Sequence, residues 1–128
     1  MRPATLLWLA VLFGAGTSAA FAAPRARTVS VTAYNSLPRQ TRGDPHRGAW
    51  GDHLYPGLRA LAVSPDLLRH GLRRGTRVFI QGFDRSFVVM DKTAARLRNT
   101  VDIYMGNDYR RARRWGRRRL RIRWYDAR

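Results

Sequence analysis

The sequence predicts a mainly β fold, a small closed barrel of six short strands with two short helices. Six runs are rich in β-branched residues or alternate apolar with polar side chains, which is typical of strands. These runs follow one another too closely for the helical crossovers that a parallel α/β sheet needs. A closed barrel accommodates them best because closure leaves no exposed strand edge.

The strands are predicted from alternation and from the turn residues between them. They are placed at residues 28–34, 58–63, 76–81, 86–91, 100–105 and 118–124. The last is the clearest, since Leu120, Ile122 and Trp124 alternate with arginines and so occupy one face. A short basic lead-in, residues 24–27, precedes the first strand.

Two helices are predicted from their end signals. In residues 64–71, Ser64 is placed as N-cap, Pro65 at the first helical position and Gly71 as the stop, and His70 lies near the last carbonyls. Residues 107–116 also have residues typical of a helix start, and Gly116 marks the predicted end of that helix.

A long loop is predicted for residues 35–57, where glycine and proline recur every few residues without a hydrophobic period. Loops of this length in a small domain are usually functional or mobile. Trp50 and Tyr55 lie on it, and we expect them to contact a sugar ring or to cap the barrel.

Residues 1–23 have the pattern of a cleaved signal peptide. Arg2 gives a positive start, an apolar run follows, and Ala20-Phe21-Ala22 fits a cleavage site. The domain is therefore expected at residues 24–128, exported to the periplasm or secreted. No second apolar segment follows, so we expect no integral membrane segment after processing.

The charge indicates the class of partner. The chain of 128 residues carries a net charge of +17, and Lys92 is its one lysine among 25 basic residues. Such a surface attracts polyanions, and for an exported protein anionic envelope polymers are expected before any specific nucleic acid. The absence of cysteine excludes a thiol enzyme and a cysteine-ligated zinc site.

Asp91 and Asp102 are the candidate catalytic residues. Asp91 ends an apolar run, and Asp102 lies inside a strand between Val101 and Ile103. A carboxylate in such a place must be hydrogen-bonded, paired or protonated, and burial beside a second carboxylate raises its pKa. A pair of this kind can supply a general acid. The alternative is a structural role, either an ion pair with an arginine or acceptance of backbone N–H bonds in a turn, and it stays open on spacing alone.

No metal or cofactor is expected. His46 and His53 share the long loop with Asp44 and Asp52, but their spacing matches no established ligand pattern, and glutamate is absent.

In order along the chain, "VSVTAYN", "LRALAVSPDLLRHGLRRGTRVFIQG", "FVVMDK", "VDIYMG" and "ARRWGRRRLRIRW" resemble the signature of the three-aspartate (3D) domain. That resemblance implies a six-stranded double-psi β-barrel related to the catalytic barrel of membrane-bound lytic transglycosylase A. It also implies that Asp102 is the acid/base carboxylate and that Asp91 belongs to the same acidic cleft. Lys92 and Tyr104, within the same motifs, are added to the substrate-binding candidates.

The sequence departs from the family pattern in two places. Ser64 occupies the position of the first family aspartate, and residues 91–98, "DKTAARLR", replace a glycine-rich loop.

Two functions are therefore expected. The first is lytic transglycosylase-like cleavage of peptidoglycan glycan strands with one aspartate as acid and base. The second is a non-catalytic, arginine-rich module that binds peptidoglycan or other envelope polymers. In both cases we expect a monomer.

Overall fold

The computed structural model describes residues 23–36 and 43–126. The predicted signal peptide lies outside these residues apart from Ala23, so the described structure is that of the barrel domain.

The described chain forms a closed barrel of six strands with two helices. The strands β1 to β6 are Arg25–Tyr34, Ala60–Val63, Arg77–Ile80, Phe87–Lys92, Thr100–Tyr104 and Arg118–Trp124, and the helices α1 and α2 are Pro65–Arg69 and Tyr109–Trp115. The predicted fold class is confirmed.

The strand order around the barrel is β1-β5-β2-β4-β3-β6. β1 pairs in parallel with β5, and β2 in parallel with β4, while the other neighbours are antiparallel. Of the six strands, β3 and β4 are the one pair that is consecutive in sequence and adjacent in the barrel. The other connections join strands that are not neighbours. Two of these connections, from β1 to β2 and from β4 to β5, supply the loops that lie beside the candidate aspartates.

The core is filled by the inward-facing residues of all six strands. The most deeply buried include Val31, Val63, Val101 and Trp124. Along β6 the apolar face predicted from alternation is confirmed, with Ile122 and Trp124 buried and the arginines exposed.

The first strand is longer than predicted. β1 begins at Arg25, inside the segment expected to be a basic lead-in, because Arg25 and Arg27 pair with Trp124 and Ile122 of β6. β2 conversely begins at Ala60 rather than at residue 58, because Leu58 donates its N–H to Tyr55 in a turn.

Helix α1 has its predicted ends but not its predicted side-chain cap. Ser64 takes the extended N-cap backbone, and Gly71 ends the helix in a left-handed conformation, φ 97°. The Ser64 hydroxyl makes no cap hydrogen bond. It donates to Asp66 at 2.7 Å and accepts the N–H of Thr100 at 3.0 Å, so it joins the helix to β5.

Helix α2 has a side-chain cap, since Asp108 accepts the N–H of Arg111 at 2.9 Å. It ends at Gly116, φ 66°. Ala112 is buried, and the indole N–H of Trp115 donates to the carbonyl of Val31 at 2.9 Å, which fixes the helix against β1. No helix within residues 23–36 and 43–126 is long and apolar enough to cross a membrane.

Candidate functional site

Four residues lie side by side across four adjacent strands of the barrel. Thr32 of β1 is in register with Asp102 of β5, Asp102 with Ala62 of β2, and Ala62 with Asp91 of β4. Residues in register project from the same face of a sheet. The row therefore presents two carboxylates on one face, separated by the small side chain of Ala62.

A β-bulge gives Asp91 its orientation. Leu61 pairs with Val89, and the next pair is Ala62 with Asp91, so Met90 is an extra residue in β4. Val89 is buried in the core, and strict alternation would have turned Asp91 toward the core as well. The extra residue reverses the alternation and places Asp91 on the same face as Asp102.

Three donors among the described residues hold Asp91. Its Oδ1 accepts the N–H groups of Ala49 at 2.7 Å and Lys92 at 2.9 Å, and its Oδ2 accepts the hydroxyl of Tyr34 at 3.0 Å. Burial, reinforced by the negative charge of Asp91, raises the pKa of Tyr34 far above its ordinary value. The phenol therefore stays protonated and donates. Asp91 thus ties the loop at Ala49 to the barrel wall, and its acceptance of backbone N–H groups is the structural alternative considered from the sequence.

Asp102 has a different environment. Among the described residues its one hydrogen bond comes from the Thr32 hydroxyl, which donates to Oδ1 at 2.9 Å. Burial raises the pKa of Asp102 to about 6, the charge of Asp91 adds to this, and the bond from Thr32 opposes it. Asp102 can therefore exchange a proton near neutral pH.

The ion-pair alternative is excluded for both aspartates over the described residues. The ion pairs there join Arg25 to Asp126 at 3.1 Å, Arg47 to Asp44 at 4.0 Å and Arg74 to Asp52 at 2.5 Å. Arg117 lowers the pKa of Asp102 through its charge, but burial outweighs it. Arginine is abundant in the chain, yet none of the arginines that the structure describes forms an ion pair with Asp91 or Asp102.

The two carboxylates face a cleft of about 870 Å³. Its walls are the strand row and two loops, and its lining residues include Tyr34, Asp44, Pro45, Arg47, Gly48, Ala49, Lys92, Thr93, Ala94 and Ala95. Gly48 lies against β4 so closely that a Cβ there would meet the carbonyl oxygen of Met90 at 2.1 Å. Only glycine permits this approach of the loop, which lets Ala49 reach Asp91.

Of the predicted substrate-binding residues, Lys92 lies in the described lining of the cleft, and the others lie elsewhere. Lys92 lines the cleft, and its Nζ lies 5.6 Å from the ring centroid of Trp50, which is half-buried and packs against the core. Tyr55 is 49% exposed, beside His53 rather than in the cleft.

Tyr104 lies beneath the surface and not on the cleft. It is 4% exposed, bonds the hydroxyl of Ser36, and meets the ring of Tyr34 edge-on at 5.5 Å. Tyr104 therefore packs beside Tyr34 in a small cluster with Leu54 and Ala60, and the described lining of the cleft does not include it.

Sequence reasoning missed Thr32, Tyr34 and Ala49. Thr32 and Tyr34 were detectable in part, because they lie two residues apart in the alternating run "TVSVTAY" and so share the polar face of β1. Nothing in the sequence joins Ala49 to Asp91, since that bond depends on how the loop folds back over β4.

Within residues 23–36 and 43–126, no three potential ligands cluster in a way that could hold a metal ion. Asp52, one of the loop carboxylates considered for such a role, bonds Arg74, whose hydrogen bond holds the pKa of Asp52 below its usual value. Comparison of the sequence with protein-family models and with curated proteins finds no match.

Proposed function

We propose that this protein cleaves the glycan strands of peptidoglycan in the manner of a lytic transglycosylase, with Asp102 as the acid and base. The observation that carries the proposal is the state of Asp102. It is partly buried on the wall of an open cleft, has one hydroxyl partner, and has a pKa raised to about 6. A carboxyl group with these properties is suited to donate a proton near neutral pH.

One carboxylic acid is sufficient for this reaction. Protonated Asp102 gives its proton to the glycosidic oxygen as the bond from that oxygen to the anomeric carbon of the muramoyl sugar breaks. The 6-hydroxyl oxygen of the same sugar then bonds to the anomeric carbon, and its proton returns to Asp102. No water is consumed, so the second carboxylate of ordinary glycoside hydrolysis is not needed.

Asp91 has a supporting role in this scheme. Its negative charge raises the pKa of Asp102, and its three hydrogen bonds hold Tyr34 and the loop at Ala49 beside the cleft. The resemblance to three-aspartate domains, with their double-psi barrel, supports the same assignment. Where those relatives have a glycine-rich loop, this chain has Thr93, Ala94 and Ala95, whose small side chains line the cleft and leave room for a glycan.

The remaining departure from the family pattern lies outside the cleft. Ser64, in place of the first family aspartate, is fully buried and bonds Asp66 and Thr100. The proposed chemistry therefore does not depend on a carboxylate at that position. Export, which the pattern of residues 1–23 predicts, is needed for the protein to reach this substrate.

The test is digestion of purified sacculi, with released muropeptides analysed by mass. Asp102→Asn is compared with the parent, and Asp84→Asn is the matched control because Asp84 is exposed and lies away from the cleft. We expect anhydro-muropeptides from the parent and from Asp84→Asn, and at least a roughly 100-fold lower rate from Asp102→Asn. Absence of anhydro products from the folded parent would refute the activity.

A second candidate function is a non-catalytic module that binds anionic envelope polymers. The net charge of +17, with most arginines outside the described ion pairs, favours it. It predicts that the parent and Asp102→Asn both sediment with sacculi, release nothing, and dissociate steeply as salt is raised.

A further inference from the structure

The outer face of β6 carries a row of arginines that the proposed chemistry does not use. Arg119, Arg121 and Arg123 occupy alternate positions and all are exposed. Tyr125, 48% exposed, follows them in sequence. Among the described residues, none of the three guanidinium groups forms an ion pair or a side-chain hydrogen bond. We name Arg119, Arg121 and Arg123 the β6 arginine row.

The neighbouring strands leave this row accessible. On one side its partners in β1 are the small residues Ser30, Thr28 and Ala26. On the other side a groove of about 600 Å³ lies between Arg121 and Arg123 and the turn after β3. The groove is also lined by Phe79, over which Arg123 stacks at 4.9 Å, and by one carboxylate, that of Asp84.

The row lies on the opposite side of the barrel from the cleft. In the closed order β1-β5-β2-β4-β3-β6, three steps separate β6 from β2 in either direction. Ala62 of β2 stands between the two cleft aspartates. A ligand on the β6 arginine row would therefore not compete with a ligand in the cleft, and the cleft carboxylates would not repel it.

The spacing of the row indicates a regularly charged, extended polymer. Alternate residues of a strand are about 6.6–6.8 Å apart. Three backbone bonds of an extended polypeptide cover about 3.3–3.6 Å, so a phosphodiester repeat of six backbone bonds covers about 6.6–7.2 Å. Successive phosphates of such a chain can thus meet successive guanidinium groups, each of which can bind two phosphate oxygens.

We propose that the β6 arginine row is a binding surface for a linear phosphodiester chain, which it recognises through the backbone phosphates. Bases are not required, because the ring of Phe79 is covered by Arg123, which leaves Tyr125 as the exposed aromatic beside the row. This inference does not depend on the activity proposed for the cleft.

The experiment measures binding of a short abasic oligodeoxynucleotide, which has the phosphodiester backbone without bases. An oligothymidylate of equal length and a polygalacturonate oligomer of equal charge are the comparison ligands. The triple variant Arg119→Gln, Arg121→Gln, Arg123→Gln is compared with Arg69→Gln, Arg110→Gln, Arg114→Gln, which removes three exposed arginines elsewhere. The affinity of each is followed against salt concentration.

We expect the row variant to bind the abasic chain at least about tenfold more weakly, and its plot of log affinity against log salt to lose about 2 units of slope, 0.7 per phosphate. The control variant should change either quantity far less. The abasic chain and oligothymidylate should bind the parent equally, and polygalacturonate more weakly.

Equal losses in the two triple variants would overturn the proposal, because binding would then be a property of the whole charged surface. Strong preference for oligothymidylate would show recognition of bases, and equal binding of polygalacturonate would remove the phosphodiester preference. Footprinting of the parent with phenylglyoxal is independent of any variant. Bound abasic chain should protect the β6 arginine row and leave Arg69, Arg110 and Arg114 reactive, and the reverse would overturn the proposal.

Discussion

Two half-buried aspartates, one in the middle of β5 and one in α1 beside the start of β5, have opposite properties. Asp102, within the strand, accepts one hydrogen bond from the part of the chain that the structure describes, that of the Thr32 hydroxyl, and burial raises its pKa to about 6. Asp66, in α1 before the start of the strand, accepts the hydroxyl of Ser64 and the N–H of Asn99. Burial raises the pKa of Asp66 too, but these bonds outweigh it and hold the pKa below the usual value.

The difference lies in the donors available at each place. Asp66 faces Asn99, the last loop residue before β5, whose N–H donates to the carboxylate. Around Asp102 the N–H groups of β5 are used in pairing with β1 and β2. A carboxylate in the middle of a paired strand is left with side-chain donors, which makes its protonated form easier to reach.

The same residue type therefore has a structural role at Asp66 and, in the proposed function, a chemical role at Asp102. Asp66, with Ser64, joins α1 to the start of β5, and the cleft does not contain it. Asp102 is the carboxyl group whose pKa is raised by its burial in the barrel wall.

The largest expected effect is the difference between the pKa values of Asp102 and Asp66. Asp102 should titrate near pH 6, and Asp66 below 3.8, which is at least a roughly 100-fold difference in proton affinity. Carbon-detected NMR of the side-chain carboxyl groups measures both in one sample, with Asp102→Asn to assign the signal. Coincident midpoints would remove the basis of the proposed chemistry.

The same gap sets a pH dependence for the proposed activity. Because Asp102 must be protonated to donate, kcat/KM should fall about tenfold for each pH unit above 6. A rate that stays constant from pH 6 to 8 would exclude Asp102 as the general acid.

The second effect is on stability. Asp66→Ala leaves the Asn99 N–H and the Ser64 hydroxyl without their acceptor, and should cost about 1–3 kcal/mol in the free energy of unfolding at pH 7. The pKa of Asp66 is lowered in the folded state, so its contribution is present above pH 3.8 and is lost as pH falls. Urea denaturation at pH 7 and at pH 3 measures both. Asp84→Ala, at an exposed position, should change stability by less than about 0.5 kcal/mol.

Much of the fold followed from local patterns in the sequence. Alternation in β6 predicted which side chains are buried, and proline and glycine marked both ends of α1. The ends of β1 and β2 were wrong, because the additional pairs of Arg25 with Trp124 and the turn at Leu58 involve partners that alternation cannot identify. Strand boundaries depend on the neighbouring strand as much as on the strand itself.

The site was predictable to a lesser degree. Asp102 stood out because a carboxylate between Val101 and Ile103 is unusual on a buried strand. The orientation of Asp91 could not be predicted, since it depends on the extra residue Met90 in the pairing with β2. The sequence likewise could not show that Ser36 and Tyr34 cover Tyr104, two residues beyond Asp102.

The third effect is the loss of folding stability caused by the raised pKa of Asp102. The pKa of Asp102 is raised from 3.8 to about 6 in the folded protein, so the folded state holds a proton that the unfolded state releases between these values. The contribution of Asp102 to stability is therefore most favourable below pH 3.8 and decreases as pH rises to about 6. Asp102→Asn should relieve this cost and stabilise the protein by about 1–2 kcal/mol at pH 7.5, after allowance for solvent in the cleft. The gain should be much smaller at pH 4, and an equal gain at both values would show that ionisation is not its cause.

The smallest effect concerns Thr32, the hydroxyl donor to Asp102. Thr32→Val keeps the branched shape in β1 but removes the hydrogen bond that lowers the pKa of Asp102. We expect the Asp102 titration to move upward by about half a unit to one unit, and the decline of activity to begin at correspondingly higher pH. Thr28→Val is the matched control, since Thr28 lies on the same strand, pairs with Arg121 and is remote from the cleft. A downward shift in Thr32→Val would mean that Thr32 accepts a hydrogen bond from protonated Asp102 instead of donating one. In that case Thr32 would stabilise the protonated form of Asp102, whereas the hydrogen bonds to Asp66 stabilise its ionised form.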